Sequence, residues 1–229
     1  LMGKALFVAG TGTDVGKTYV TGLIVKKLRT AGYRAGYYKA ALSGAEPDAQ
    51  GALVPGDVRH VQEAAGIPPG GPAAVSYVYR EAVSPHLAAL WNDNPIDPER
   101  VRADFAHAKD YYELLTMEGS GGIICPLRWN AAQKMILDDL IKMLGLGTLV
   151  VADAGLGTIN AAVLTIEHLQ RREIPVRGVI LNNYHTGNPM EEDNRRMIEE
   201  ITGIPVIAAV APNAAELDMD AARLAALYH

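Results

Sequence analysis

Near its N-terminus the chain reads Gly10-Thr11-Gly12-Thr13-Asp14-Val15-Gly16-Lys17-Thr18. An apolar run over 5–9 precedes this stretch, and residues 19–28 follow it with the apolar spacing of a helix. A strand, a glycine-rich turn and a helix in this order are the context of a phosphate-binding loop. The backbone N–H groups of such a turn bind phosphate oxygens. We therefore expect Lys17 to reach the terminal phosphates of a nucleotide and Thr18 to ligate Mg²⁺.

The spacing of the first glycine departs from the strict motif. The motif requires glycine at position 11, whereas the nearest glycine, Gly10, lies one residue earlier. The alternative interpretation is an ordinary glycine turn that begins a helix. Such a turn would not require lysine and then threonine in the first helical turn, so the nucleotide-binding interpretation is favoured.

Composition indicates a globular α/β protein. The chain has 229 residues, 49% of them hydrophobic and 21% charged, which is enough for one large domain over 1–229. The net charge of −5 makes a nucleic-acid partner unexpected. No apolar run approaches the roughly 20 residues that span a bilayer, so no membrane partner is expected.

The N-terminus and the single cysteine bear on location. We expect no signal peptide, because the chain enters its first strand at once, and we expect Leu1, before Met2, to be a cloning remnant. Cys125 has no second cysteine to pair with, which fits a reducing cytoplasm. We interpret Cys125 as a small core residue rather than a nucleophile.

Apolar, β-branched runs alternate with helical patterns along the whole chain. Strands are expected at 5–9, 34–38, 77–79, 113–117, 148–152, 176–181 and 206–210. Helices are expected at 19–28, 57–65, 97–111, 132–144, 156–172, 189–202 and 214–227, with a further one beginning at Ser84-Pro85. Strands that are apolar on both faces predict a parallel sheet with helices on both sides. The fold class is therefore a single-domain α/β fold of the P-loop NTPase type.

Special residues follow the predicted strands. In parallel sheets, ligands bind at the carboxyl ends of the strands. The groups that come after a strand are the phosphate-binding loop, Lys39, Glu118-Gly119, the 155–160 turn and Asn182. We therefore expect them to form one site.

Thr18, Asp57 and Glu118 are the candidate Mg²⁺ ligands, because this ion prefers oxygen ligands. Glu118 ends an apolar strand, where a carboxylate is costly without a role. Its alternative role is to cap the glycine turn that follows. Asp57 could equally cap the helix that it begins.

Lys39 could stabilise the charge that develops in phosphoryl transfer. The alternative interpretation of Lys39 is a solvated lysine that follows an edge strand and has no functional role. Ser43 could donate to a substrate oxygen or simply open a turn. His86 is interpreted as structural, because no acid partner is apparent in the sequence.

Two further segments offer groups for ligand recognition. Asn182 and Asn183 could bind a base edge through their amides, or form a turn. The 155–160 turn offers free N–H groups at a helix start, which suit a carboxylate.

The whole chain resembles the dethiobiotin synthetase family, the ATP-dependent carboxylases of biotin synthesis. The family's phosphate-binding loop has the same displaced first glycine, and its Lys-Pro-x-x-Ser-Gly element stands here as Lys39-Ala40-Ala41-Leu42-Ser43-Gly44. The other matching segments are Ser84-Pro85-His86, Glu118-Gly119-Ser120-Gly121-Gly122 and Leu156-Gly157-Thr158-Ile159-Asn160. The chain departs from the family where Gly12 replaces an acidic residue, Ala40-Ala41 replaces Pro-Val, and Ser120 replaces alanine.

The resemblance implies a reaction with ATP, Mg²⁺, 7,8-diaminopelargonic acid and CO₂ or bicarbonate. One amine and CO₂ give a carbamate, ATP phosphorylates it, and the second amine displaces phosphate to close a cyclic urea. Lys17 and Lys39 are the implied catalytic residues, and Thr18, Asp57 and Glu118 the metal ligands. The implied nucleotide-binding residues are Thr13, Asp14, Val15, Gly16, Lys17, Thr18, Tyr19, Asp57, Glu118, Gly119, Ser120, Gly121, Asn182, Asn183, Val210, Ala211 and Pro212.

The resemblance also implies a homodimer whose substrate sites lie at the subunit interface. Thr13 and Ser43 would bind the reacting end of the substrate. The backbone of Leu156, Gly157, Thr158, Ile159 and Asn160 from the partner subunit would hold its distant carboxylate.

Two other functions share the phosphate-binding loop. Cobyrinate-type amidating synthetases usually carry a glutaminase domain, for which this chain has no room. Partitioning and positioning ATPases use the nucleotide as a dimerisation switch and place a signature lysine where Gly12 stands.

Overall fold

The computed structural model of the protein describes residues 3–229, so the interpretation of Leu1 lies outside the described residues. The strands are β1 (Lys4–Gly10), β2 (Ala35–Leu42), β3 (Glu46–Pro47), β4 (Leu53–Val54), β5 (Val75–Val78), β6 (Leu114–Gly122), β7 (Pro126–Trp129), β8 (Lys134–Ile136), β9 (Thr148–Asp153), β10 (Val176–Asn182) and β11 (Val206–Val210). The helices are α1 (Lys17–Thr30), α2 (Gly56–Ala65), α3 (Pro85–Trp91), α4 (Pro98–Tyr111), α5 (Leu137–Leu144), α6 (Thr158–Arg171), α7 (Pro189–Thr202) and α8 (Ala221–Ala225).

Seven strands form one sheet in the order β11-β10-β9-β1-β6-β2-β5. Every neighbouring pair in this sheet is parallel, as the apolar strands predicted. The register pairs Val8 of β1 with Glu118 of β6, and Glu118 in turn with Lys39 of β2. Three adjacent strands therefore bring the phosphate-binding loop, a carboxylate and a lysine to one edge.

Each face of the sheet carries its own apolar core. On one face, Leu6 and Val8 of β1 pack with residues of α1, α2 and α8. On the other, Ala5 and Phe7 pack with residues of α3 to α7. This alternation along β1 is what a strand buried on both sides requires. Within residues 3–229, no helix combines the length and apolar character needed to cross a membrane.

The helix expected over 132–144 is wrong in its first part. Residues 134–136 form β8, which pairs antiparallel with β7, and α5 begins only at Leu137. The hairpin turn is stabilised by Asn130, whose Oδ1 accepts from the N–H groups of Ala132 and Gln133. Turn chemistry and strand pairing override the helix propensity of the Ala-Ala-Gln-Lys run.

The helix expected over 214–227 is also shorter than expected, because α8 covers only Ala221–Ala225. Two side chains of α1 donate hydrogen bonds to backbone carbonyls of the segment before α8. The Tyr19 hydroxyl donates to the Ala214 carbonyl, and Lys26 Nζ donates to the Ala215 carbonyl at 2.9 Å. The Asp220 side chain then caps α8. Tertiary contacts to α1 thus compete with helical hydrogen bonds in this segment.

Other boundaries differ in smaller ways. The 43–56 segment, expected to be irregular, contains the short strands β3 and β4. Lys39 and Glu118 lie within their strands rather than after them. Helix α3 begins directly after Ser84, as expected. The Ser84 hydroxyl, however, is hydrogen-bonded to His86 Nδ1 at 3.1 Å and does not cap the helix.

We expect Gly36→Ala in β2 to destabilise the protein by about 1–3 kcal/mol, the usual effect of overpacking a core. A Cβ at this position would lie 2.2 Å from a ring carbon of Tyr112. Urea unfolding measures the loss, and Gly56→Ala is the control because a Cβ there meets nothing within 4 Å. Equal stability of the two variants would contradict the close packing of Tyr112 on β2.

Candidate active site

A cavity of about 870 Å³ opens at the carboxyl edge of the sheet. Its walls come from the phosphate-binding loop, the ends of β2 and β6, the start of α2 and the segment before α3. The predicted site residues that line it are Thr13, Asp14, Gly16, Lys17, Thr18, Tyr19, Lys39, Ser43, Asp57, Glu118, Ser120 and Gly121. The structure therefore brings together residues that are up to 108 positions apart, from Thr13 to Gly121.

Two residues of the phosphate-binding loop have the left-handed backbone conformation, Asp14 at φ 63° and Gly16 at φ 87°. Gly16 is required for a second reason, because a Cβ there would lie 2.1 Å from Nδ2 of Asn182. Asn182 Nδ2 donates to the Val15 carbonyl at 3.1 Å and so supports the loop from the end of β10. The loop conformation is thus fixed from outside as well as by its own glycines.

Lys17 lies along the inside of the same loop. Its Nζ donates to the Gly12 carbonyl at 2.8 Å, and its side chain passes over Gly10, where a Cβ would lie 2.6 Å from Lys17 Cδ. Gly10 thus leaves the space that the Lys17 side chain fills. Burial lowers the pKa of Lys17, although Glu118 opposes that shift.

Glu118 is the centre of the polar network. The carboxylate is 1% exposed, and both of its oxygens have donors. Oε1 accepts from the Thr18 hydroxyl at 2.7 Å and from Lys39 Nζ at 3.1 Å, and Oε2 accepts from the Tyr37 hydroxyl at 2.9 Å. The alternative in which Glu118 caps a glycine turn is wrong, because its acceptors are used by these three side chains.

Lys39 is 5% exposed and joins two carboxylates. Its Nζ lies 2.5 Å from Asp57 Oδ2 and 3.1 Å from Glu118 Oε1. Burial lowers the pKa of Lys39, but Glu118 and Asp57 more than offset this effect, so the pKa lies above its ordinary value. Neither alternative holds: Lys39 is not solvated, and Asp57 makes no side-chain cap on α2.

The remaining hydroxyl and thiol groups of the cavity have different surroundings. Ser43 Oγ is buried and has no hydrogen-bond partner among residues 3–229. The Ser120 hydroxyl donates to the Ala41 carbonyl at 2.7 Å, so it ties β6 to β2. Burial raises the pKa of Cys125 to about 11, which keeps the thiol protonated and supports its interpretation as a packing residue.

Asn182, Asn183 and the 210–212 segment lie outside this cavity, and Asn182 contacts the phosphate-binding loop at Val15. Asn182 pairs in register with Val210, and the Tyr184 N–H donates to the Val210 carbonyl at 2.9 Å. Asn183 has the left-handed φ of 57° and donates to Asp153 at 3.0 Å, as its turn interpretation predicted. Asn182 Oδ1 is buried and has no partner within the described chain.

The 156–160 segment does not line the cavity of its own chain. Leu156 is 92% exposed, and α6 begins after Gly157, at φ 91°, with no side-chain cap. The preceding turn is held by Asn194, whose Nδ2 donates to the carbonyls of Ala154 and Gly155. The Thr158 N–H donates back to the Gly155 carbonyl at 3.3 Å, and no side chain caps the start of α6.

Sequence reasoning missed Tyr37 and an apolar wall of the cavity. That wall consists of Leu42, Ala82, Val83, Pro85, Ile124, Cys125 and Pro126. Tyr37 could have been found from its position two residues before Lys39, which places both side chains on the same face of one strand. The wall combines the end of β2, the segment that leads into α3 and the connection from β6 to β7, and their approach depends on tertiary packing.

The fold and the phosphate-binding loop define a P-loop nucleotide-binding protein. Solved structures with the same fold include the MinC:MinD cell division complex of Aquifex aeolicus, with a TM-score of 0.53 and 15% identity, covering 91% of this chain and 81% of that one. A ParA family ATPase of Chlorobium tepidum gives a TM-score of 0.53 at 13% identity, covering 92% of this chain and 85% of that one. At these identities the likeness shows the fold alone.

Sequence comparison gives the family. The AAA_26 family model, described as an AAA domain, matches residues 4–219. An ATP-dependent dethiobiotin synthetase BioD of Brachyspira hyodysenteriae is 45% identical over 95% of this chain and 96% of its own length. A protein of the same name from Clostridium botulinum strain Langeland is 44% identical over 99% of both chains. The chain belongs to the ATP-dependent dethiobiotin synthetase family.

We expect Gly16→Ala to weaken ATP binding about tenfold or more, because a left-handed non-glycine residue alone costs about 1–2 kcal/mol and the Cβ also meets Asn182. Calorimetric titration with ATP measures the affinity. Gly145→Ala is the matched control, since Gly145 is also left-handed, at φ 65°, but lies at the end of α5 in open space. Similar ATP affinities for the two variants would contradict the assignment of this loop.

Proposed function

We propose that this chain catalyses the ATP- and Mg²⁺-dependent carboxylation and ring closure of 7,8-diaminopelargonic acid to dethiobiotin, with ADP and phosphate as the other products. Family membership supports the overall reaction. The single observation that carries the site assignment is the convergence of Lys17, Lys39, Thr18 and Glu118 on one cavity. The single cysteine supports a cytoplasmic location for this enzyme.

The phosphate-binding loop is proposed to hold the ATP phosphates. Its backbone N–H groups and the start of α1 supply donors, and Lys17 supplies a positive charge inside the loop. The base is proposed to lie at the corner formed by Asn182, Asn183 and 210–212. The unpartnered Oδ1 of Asn182 supports this assignment, because a buried acceptor gains from a donor such as an exocyclic amine.

Thr18, Asp57 and Glu118 are proposed to hold Mg²⁺ together with the nucleotide phosphates. The described residues contain no group of three or more His, Cys, Asp or Glu side chains that could bind a metal by themselves. Two carboxylates and one hydroxyl fit Mg²⁺, which usually takes one or two carboxylates and completes its shell with phosphates and water. Bound there, Mg²⁺ would neutralise phosphate charge during transfer of the γ-phosphoryl group.

Lys39 and Ser43 are proposed to act on the reacting end of the diamine. One amine attacks CO₂ to give a carbamate and releases a proton, and the carbamate oxygen then attacks the γ-phosphorus as ADP leaves. The Lys39 ammonium offsets negative charge on the carbamate, and the unpartnered hydroxyl of Ser43 and the hydroxyl of Thr13, which lines the cavity, can donate to its oxygens. The second amine then attacks the carbamoyl carbon, phosphate leaves as the C–O bond breaks, the amine releases a proton, and the ring closes.

A homodimer is proposed, with the start of α6 from each subunit completing the site of the other. An isologous dimer places the same surface on both sides. The uncapped start of α6 and the exposed side chains of Leu156, just before α6, and Leu164, within it, support this arrangement. Backbone N–H groups of residues 156–160 would bind the carboxylate at the far end of the substrate.

Coupled turnover tests the proposed function. We expect ADP release and dethiobiotin formation only when diamine and bicarbonate are both present with Mg²⁺ and ATP. Lys39→Ala is expected to lower the rate about 10²–10³-fold while ATP still binds, because it removes charge stabilisation at the reacting atoms. ADP release that needs neither diamine nor bicarbonate would instead indicate a nucleotide switch, and a normal rate for Lys39→Ala would remove Lys39 from the mechanism.

A further inference from the structure

Tyr37 makes a contact for which the proposed reaction has no assigned use. Its side chain is 2% exposed, and its hydroxyl donates to Glu118 Oε2 at 2.9 Å. The other carboxylate oxygen, Oε1, takes the donors that line the cavity, Thr18 and Lys39. The two oxygens of Glu118 are therefore distinct: Oε1 faces the cavity and Oε2 faces the core.

Strand geometry explains how the phenol reaches this oxygen. Lys39 pairs in register with Glu118, and Tyr37 pairs with Thr116 two residues earlier along the two parallel strands. Residues two apart on a strand share a face, so Tyr37 and Lys39 approach Glu118 from the same side at different depths. The Tyr37 ring packs in the core between the sheet and helices α1 and α2, which fixes the position of its hydroxyl.

We propose that Tyr37 is a positioning residue that fixes the orientation of Glu118 so that only Oε1 is presented to the metal bound with ATP. This inference rests on the proposed role of Glu118 as a metal ligand, but not on the identity of the second substrate. Tyr37 does not line the cavity, so it acts only through Glu118.

The phenol is the only donor to Oε2 within the described chain. Without it, a buried carboxylate oxygen would have no partner, and the carboxylate could rotate or draw Lys39 and Thr18 into other contacts. Loss of an outer partner of a metal ligand typically costs about 10–100-fold in metal affinity. The chain also offers a matched comparison, because Tyr38 is equally buried on the opposite face and its hydroxyl bonds to Ser76 Oγ at 2.7 Å and Val101 O at 3.2 Å.

The test compares Y37F with Y38F, since each removes one buried hydroxyl and leaves the ring. Binding of Mn²⁺ in the presence of ATP, followed by electron paramagnetic resonance, is expected to weaken about 10–100-fold in Y37F and to stay within about twofold of the parent chain in Y38F. In a Glu118→Gln background, Y37F is expected to cause no further loss. Thermal unfolding of both variants without metal records any purely structural effect.

A second measurement covers a variant too unstable for the resonance experiment. Mn²⁺ and ATP should raise the unfolding temperature of Y37F less than that of Y38F, because ligand stabilisation depends on affinity. Mn²⁺ affinity in Y37F equal to that in Y38F would overturn the inference. The experiment contains no diamine, so a parent chain that binds Mn²⁺ and ATP but makes no dethiobiotin would refute the proposed function and leave the role of Tyr37 intact.

Discussion

The buried contact between Lys39 and Glu118 is the interaction on which the candidate site depends. A charged ammonium and a carboxylate are both almost fully buried and lie 3.1 Å apart on neighbouring strands. Each charge needs a partner at this depth, because an isolated buried ion costs several kcal/mol, and Asp57 is the second carboxylate partner of Lys39. Parallel pairing of β2 and β6 sets their distance, so the fold itself holds the two charges beside the phosphate-binding loop.

Thr18 belongs both to the phosphate-binding loop and to the hydrogen-bonded cluster around Glu118. Thr18, in the first turn of α1, donates to the same Glu118 oxygen that Lys39 contacts, and Asn182 supports the loop from the opposite side. Three strands thus control the position of one loop: β1 leads into it, β6 holds its threonine, and β10 holds its backbone. This arrangement explains why a short motif near the N-terminus needs residues from the whole chain.

The parallel sheet, the phosphate-binding loop, Lys39 and Glu118 could be predicted from local sequence pattern, and the family resemblance added Tyr19, Ser120 and Gly121 of the cavity lining. Strand periodicity located β1, β9 and β10 well, and the rule that ligands bind at carboxyl ends selected Lys39 and Glu118. What could not be predicted depends on tertiary contacts. The β7–β8 hairpin and the short α8 follow from pairing and from contacts to α1, and Tyr37 is significant only because β2 lies beside β6.

The central claim is that Lys39 and Glu118 act as one buried unit, and a double-mutant cycle on stability tests it most directly. Urea unfolding of Lys39→Met, Glu118→Gln and the double variant, without nucleotide or metal, gives the coupling free energy. We expect Lys39→Met to cost about 3–5 kcal/mol, because it leaves the buried Glu118 carboxylate without its ammonium partner. Glu118→Gln should cost less, because Lys39 keeps its contact with Asp57. The double variant should then cost at least about 1 kcal/mol less than the sum, whereas additivity within about 0.5 kcal/mol would contradict the account.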